Sequence, residues 1–320
     1  MLKVGTCGWT RVYQAFPKSE GESLLQSYAR HFPVVEINSS YYKYHKVSTY
    51  KKWKEETPDG FEFTVKCHKF ISQRPKLEPT GEMLRSFQRV VEGAKACNAK
   101  AILIQTPKSL RATDEVLNKA KEFFKSIDPR GIPVVWETRG ESWEKNESRR
   151  KLALMLEKCG ITHVTDLLKI DPAFVEDIAY FRLHGLPGYN LKYTYANSEL
   201  RRLYEKAREY DGKVKTVYIF FNNYAMYRDA ERFMHLMRSG ELPPSPFGPK
   251  SVFYALRPFR GWPITKEMLL ERCGGWFVWV KPNKSVKLRE ILKHISSREY
   301  ADLDDLENEV KKIWGRIGFQ

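Results

Sequence analysis

Short runs rich in β-branched and aromatic residues recur along the first 240 residues, separated by stretches whose apolar positions follow a helical period. The runs fall at 2–7, 33–38, 61–67, 100–105, 132–137, 161–166, 179–184 and 214–221. Each is almost continuously apolar, as expected for strands covered on both faces of a parallel sheet. Helical patterns are clearest at 82–97, 113–126, 147–158, 198–210 and 226–239. The stretch 147–158 carries Leu152, Leu154, Met155 and Leu156 and stops at Gly160, a residue type that often ends helices. The connection 168–178 is short for a full helix and is the weakest unit. Eight such alternations are the number that closes a barrel, so the expected fold is α/β, a (β/α)8 TIM-type barrel over residues 1–240. A doubly wound open sheet would usually bring a glycine-rich phosphate loop. Gly5-Thr6-Cys7-Gly8 lacks its third glycine and helix start.

The pattern changes after Gly240. Pro243, Pro244, Pro246 and Pro249 make 241–250 a stiff linker that cannot continue a helix. Residues 251–320 then suffice for a small C-terminal α+β appendage, with helix candidates at 285–295 and 302–318. Asp302, Asp304, Asp305, Glu307 and Glu309 open the second of these, where a helix dipole favours negative charge, so the run reads as capping and not as a metal site.

Composition narrows the class. A hydrophobic share of 42% with 13% aromatics is enough for a large core. No apolar run is long enough to cross a bilayer, and Met1–Gly5 enters a strand pattern directly, so a cytoplasmic protein without a membrane partner is expected. The five cysteines, Cys7, Cys67, Cys97, Cys159 and Cys273, are scattered without a C-x-x-C pair and read as buried small apolar residues. Lysine and arginine number 55 against 39 acidic residues, a net charge of +16. Residues 241–320 hold 14 basic and 10 acidic side chains, which leaves +12 in 1–240. That field suits a polyanion such as nucleic acid, or a phosphorylated small molecule; a generally basic, ion-paired surface would look the same.

In a (β/α)8 barrel the reactive groups stand at the C-terminal ends of the strands and in the loops that follow. Those positions hold Trp9; Glu36 and Asn38; Lys66 and His68; Gln105; Glu137 and Arg139; His163 and Asp166; Arg182 and His184; Asn222 and Asn223. Charged groups inside apolar strands are costly unless paired, so their recurrence points to a site. Glu36, Glu137 and His184 are the catalytic candidates. Trp9, Asn38, Lys66, His68, Gln105, Arg139, Arg182, Asn222 and Asn223 are the substrate-binding candidates. The competing reading is that Glu36 and Glu137 only satisfy Arg139, Arg182 and Lys66. His163, in mid-strand, reads as a core histidine. Trp136 and Trp143 could stack a base or a sugar like Trp9, although packing suits Trp136 better. One mechanism makes Glu36 and Glu137 a general acid/base pair, with the cations holding a phosphate or oxyanion. Another places a divalent metal on Glu36, Glu137, Asp166 and His184 to activate water against a phosphodiester, a weaker pattern because no H-x-H or H-x-x-x-H occurs.

Seven segments carry a family resemblance. They are Gly5-Thr6-Cys7-Gly8-Trp9, FPVVEINSSYY (32–42), Trp53 with TPDGFEFTVKCHKFIS (57–72), AILIQTP (101–107), VVWETRGESW (134–143), YFRLHG (180–185) and VYIFFNN (217–223). In this order they resemble the DUF72 (YecE-like) family. The family often has serine where Cys7 stands, and an aromatic-Tyr pair followed by proline where Ser40-Tyr41-Tyr42 runs into Lys43-Tyr44-His45. The resemblance implies a TIM barrel, leaves 241–320 outside, and lends no settled activity. A likeness of such barrels to the endonuclease IV type favours nucleic-acid chemistry. The leading expectation is therefore a nucleic-acid-processing or nucleic-acid-binding barrel, such as a repair-type phosphodiester hydrolase. The alternatives are a small-molecule isomerase, lyase or hydrolase acting on a phosphorylated or carboxylated metabolite, and a non-catalytic RNA-binding scaffold.

Overall fold

The computed structural model describes residues 1–16, 18–73, 77–243, 247–257, 259–281 and 284–318. Eight strands, β1 (Leu2–Thr6), β2 (Val34–Ile37), β3 (Glu62–Lys66), β4 (Ile102–Gln105), β5 (Val134–Glu137), β6 (Thr162–Val164), β7 (Ile178–Leu183) and β8 (Thr216–Phe221), form one sheet. All pairings are parallel, in the order β6-β5-β4-β3-β2-β1-β8-β7. The remaining gap between β6 and β7 is bridged at Thr165 and Phe181, with Arg182 N donating to Thr165 O at 3.0 Å and Thr162 Oγ to Ile178 O at 2.8 Å. The result is a nearly closed (β/α)8 barrel. Seven strands sit inside their expected runs and β7 begins one residue before its own, at Ile178; Cys7, Asn38 and His184 lie just past strand ends.

Helices follow the strands in the chain: α1 (Leu24–Ala29), α2 (Val47–Glu55), α3 (Lys69–Ser72), α4 (Gly81–Ala96), α5 (Asp114–Ser126), α6 (Asn146–Cys159), α7 (Asn197–Arg208) and α8 (Met226–Ser239). Among the described residues none lies between β6 and β7, as the short 168–178 connection implied. Sequence chemistry sets the ends. Thr80 caps α4 by accepting from Met83 N at 3.2 Å, and Thr113 caps α5 by accepting from Val116 N at 3.2 Å. Gly160 closes α6 in the left-handed region at φ 63°. Helix α5 buries Val116, Leu117, Ala120, Phe123 and Phe124, one apolar stripe at helical spacing.

Period-two alternation builds the interior. Val34, Leu103, Val135, Val164, Tyr180 and Phe220 belong to one buried cluster. Two residues further along their strands, on the same face, stand Glu36, Gln105, Glu137 and Arg182. An apolar layer thus underlies a polar one at the C-terminal end of the barrel.

The chain packs as two compact units: Met1–Trp9, Tyr28–Leu183 and Arg202–Phe221 form one, and Thr10–Ser27, His184–Arg201 and Asn222–Gln320 the other. The second unit therefore takes in more than the tail. Of the proline linker, Pro244 and Pro246 lie outside the described residues, while Pro249 already begins a helix, α9 (Pro249–Leu256). Beyond it come β9 (Ile264–Thr265), α10 (Lys266–Cys273), β10 (Phe277–Lys281), β11 (Lys284–Lys287), α11 (Arg289–Leu292), β12 (Glu299–Tyr300) and α12 (Leu303–Trp314). These α+β elements share a core of residues such as Leu256, Leu269, Val278, Leu292, Tyr300 and Leu306. The helix expected over 285–295 is a correction. Residues 284–287 pair antiparallel with β10, and only 289–292 are helical, because Val278 and Val286 pack better as cross-strand partners. Asp302 does cap α12, accepting from Asp305 N at 2.8 Å. No helix of the described residues is long and apolar enough to cross a membrane.

Gly5 shows how tightly β1 and β2 approach. A Cβ there would lie 2.1 Å from the Val34 carbonyl oxygen, which is backbone and cannot swing aside. Gly5→Ala is expected to destabilise the barrel by about 3 kcal/mol, read as a lower urea midpoint. An unchanged midpoint would contradict this strand spacing.

Candidate active site

At the C-terminal end of the barrel, Arg182 is completely buried and organises its neighbours. Its Nη2 donates to Glu36 Oε1 at 2.8 Å, and its Nη1 donates to Glu137 Oε2. Nη1 also reaches Gln105 Oε1 at 3.2 Å, and Nη2 meets the Cys7 sulfur at 3.5 Å. One guanidinium therefore ties together residues from four strands and the turn after β1.

The carboxylates are further saturated. Glu36 accepts from Tyr180 OH at 2.8 Å and from Asn38 Nδ2 at 2.9 Å, and Thr64 Oγ stands 2.8 Å behind the Tyr180 hydroxyl. Glu137 Oε1 accepts from Arg139 Nε at 2.7 Å. Burial by itself would lift the Glu36 carboxyl. Arg182, Lys66 and the bonds from Tyr180 and Arg182 outweigh it and hold the group below the usual carboxylate range. Burial pushes the Cys7 thiol far up, so it meets Arg182 as a neutral sulfur.

Gln105 Oε1 is the second hub. Lys66 Nζ donates to it at 2.8 Å, Arg139 Nη2 at 2.9 Å and Arg182 Nη1 at 3.2 Å. A carbonyl oxygen has two lone pairs, so three cationic donors crowd one neutral acceptor. Lys66 also lies over the Tyr41 ring, 4.4 Å from its centre. Ser40 places that ring, its hydroxyl reaching both Ile37 O and Lys66 O at 2.7 Å. Burial, followed by repulsion from Arg182, pulls the Lys66 ammonium down to about 8.

Seven of the sequence candidates thus come together: Glu36, Asn38, Lys66, Gln105, Glu137, Arg139 and Arg182. Others have different work. Trp9 packs edge-on against Trp53 at 5.2 Å. His68 caps α3 through Nδ1 and stacks on Tyr44 at 4.0 Å. Asp166 accepts from Leu168 N at 3.1 Å within its own turn. His163 is the core histidine expected: Ala173 N donates to Nδ1 at 3.0 Å, Nε2 lies 3.0 Å from Thr138 Oγ, and burial pulls it down to about 3. In the second unit, His184 stacks on Tyr189 and lies 3.1 Å from Asn222, while Asn223 donates to Tyr193 O and Asp229. Trp136 and Trp143 are both packing residues, their indole N–H groups bonded to Thr106 Oγ and Leu110 O, which corrects the base-stacking option for Trp143. Among the described residues no three His, Cys, Asp or Glu side chains are placed to hold a metal ion. Glu36 and Glu137, as spent on Arg182, do not suit the divalent-metal alternative.

Tyr180, Thr64 and Tyr41 were missed from sequence. The first two sit two residues before Arg182 and Lys66 on the same strand faces, so alternation could have found them. Nothing local marks Tyr41, whose place depends on a turn.

The family model described as "Protein of unknown function DUF72" matches residues 3–250. The chain belongs to the DUF72 family. It is 27% identical over 252 residues to UPF0759 protein YunF of Bacillus subtilis, covering 70% of this chain and 89% of that protein. The crystal structure of a DUF72 family protein from Thermotoga maritima is similar with a TM-score of 0.60 and 25% identity, over 75% of this chain and 100% of the other. One from Enterococcus faecalis has a TM-score of 0.62 at 20% identity, over 77% and 99%, and speaks for the fold alone. The family match runs ten residues past 240, into the segment expected to lie outside it.

Removing Arg182 would leave two buried carboxylates without their shared cation. Arg182→Met is expected to cost about 3–5 kcal/mol at pH 7. In the native chain Glu36, held below its unfolded value, stabilises above about pH 4.5 and loses this as pH falls through its lowered folded value. In the variant its raised carboxyl becomes a penalty above the same pH. The gap in melting temperature should therefore shrink from pH 7 towards pH 4.5, and a gap independent of pH would count against this pairing.

Proposed function

We propose that this DUF72 barrel is an enzyme acting on a small metabolite that carries a phosphate or carboxylate group, with Lys66 as the proton carrier and Arg139 as the anion clasp. The convergence of Lys66, Arg139 and Arg182 on Gln105 Oε1 carries the reading. An anionic substrate oxygen can take over donors that a single neutral carbonyl shares poorly. Three cations against two carboxylates leave the cluster positive. Arg182, at 0% exposure, stays behind as the organiser, whereas Arg139 keeps 25% of its side chain exposed and can engage a ligand.

Lys66 near pH 8 can exchange a proton under neutral conditions. Neutral Lys66 would take a proton from carbon beside a substrate carbonyl, the Arg139 guanidinium would stabilise the enolate oxygen, and the ammonium would return the proton to a neighbouring atom. Glu36 and Glu137 then act by holding Arg182 and Arg139 in place, instead of forming the acid/base pair expected from sequence.

Depth favours a small substrate over a polymer, because Glu36, Lys66, Gln105 and Glu137 are each no more than 8% exposed. Net charge of +16 supports the second reading, nucleic-acid binding, as an activity of the surface. Surface ion pairs such as Lys119–Glu115 and Lys151–Glu147 supply the competing reason for that charge.

Incubation of the full chain in D2O with phosphorylated and carboxylated carbonyl compounds, followed by NMR, tests the proposal. Deuterium should enter carbon beside the carbonyl, at a rate rising with pH through about 8 and lost in Lys66→Met, while Arg139→Ala should mainly raise KM. Lys66→Met should also melt no lower than the native chain at pH 7, since holding this ammonium down from 10.5 to about 8 costs roughly 3 kcal/mol. Salt-sensitive oligonucleotide binding without exchange on any compound would overturn the reading in favour of the second.

A further inference from the structure

A cavity lies entirely within the second unit and shares no residue with the Arg182 cluster. It measures about 260 Å³, close to the lower end of the roughly 300–1,000 Å³ that small-molecule pockets span. The turn from β8 into α8, helix α9 and the start of β10 form its walls.

Those walls are aromatic and fixed. Tyr224 and Phe277 lie nearly parallel, 27° apart with ring centres at 5.5 Å. Trp276 and Tyr254 add two more aromatic side chains to the lining. Trp279 is pinned by its indole N–H, which donates to Lys192 O at 2.6 Å. Two hydroxyls of the wall are committed to shaping it: Thr194 Oγ donates to Asp229 at 2.7 Å and Ser251 Oγ to Gly248 O at 2.7 Å. A cavity of ring faces that is already formed selects flat molecules, because little side-chain freedom is lost when one enters.

Charge selects further. Arg11 and Arg228 both line the cavity, and among the described residues no carboxylate or histidine does. The Arg228 guanidinium lies 5.9 Å from the Tyr254 ring centre. Burial draws it down to about 10, with Glu231 opposing that and Arg257 adding to it, so it remains a cation at neutral pH. Arg11 is exposed, and its backbone N–H is anchored on Tyr227 OH at 3.2 Å, which holds the start of its side chain beside the opening. A guanidinium matches a carboxylate or phosphate with two parallel hydrogen bonds.

We propose that this cavity binds a small planar molecule of one or two fused rings bearing one anionic group, with the rings against Trp276 and Phe277 and the anion on Arg11 and Arg228. The site is independent of the reaction assigned to Lys66 and would stand if that assignment failed.

Calorimetric titration of the full-length protein tests it with three probes: indole-3-carboxylate, adenosine monophosphate and cyclohexanecarboxylate. Binding of the first, the second or both supports the site and names the anion it prefers. Cyclohexanecarboxylate, charged but not flat, should bind at least tenfold more weakly than the better planar probe. Arg228→Met and Trp276→Leu should each weaken the planar probe at least tenfold. Arg11→Ala, at an exposed position that leaves the fold intact, should weaken it several-fold and leave the Lys66-dependent exchange unchanged. The proposal is overturned if neither planar probe binds, if cyclohexanecarboxylate binds as well as they do, or if Arg11→Ala binds like the native chain.

Discussion

A guanidinium with no access to water must find its hydrogen bonds inside the protein. The two terminal nitrogens of Arg182 do so by gathering the ends of its neighbours' strands, while Nε is left without a partner among the described residues. Glu36 on β2, Gln105 on β4 and Glu137 on β5 all reach it, and Cys7 just past β1 offers a sulfur. Isolated burial of such a charge would be prohibitive, and pairing with two carboxylates makes it tolerable. The same pairing occupies both glutamates, which is why the proposed mechanism gives the proton transfer to Lys66 instead. Lys66 stands at the edge of the cluster, its ammonium drawn down to about 8 by burial and then by repulsion from Arg182, and the proposed proton transfer rests on it.

Two layers of one barrel thereby serve opposite ends. Beneath Arg182, Val34, Leu103, Val135 and Tyr180 make an apolar floor that excludes water and strengthens every charge interaction above it. Above the floor, donors outnumber acceptors at Gln105 Oε1. Stability rests on the ion pairs being complete, whereas the proposed anion binding draws on the donors in excess. Both conditions hold because the cations exceed the carboxylates by one.

Much of the barrel was legible from the chain. Continuous apolar runs with helical stretches between them leave a parallel sheet as the arrangement that buries both faces, and helix ends at Gly160, Thr80 and Thr113 follow from local backbone chemistry. Candidate residues at strand ends were equally legible, since position along a strand and alternation of faces are properties of a one-dimensional pattern. The 285–295 segment misled because Val286 and Leu292 suit either period, and only the partner strand β10 decides. Trp143 misled because an indole reads alike on a rim and in a core.

Local pattern therefore made the fold class, the family resemblance and seven polar side chains at or just past strand ends readable from the chain. Tertiary structure alone decided which of them meet. That Arg182 takes both glutamates, that three donors share Gln105 Oε1, and that Arg11 and Arg228 line one cavity with Tyr254, Trp276 and Phe277 are facts about distance between residues far apart in the chain. Charge pairing and pKa fall off over a few ångströms, so they are set by packing in three dimensions and leave no periodic trace in the order of residues.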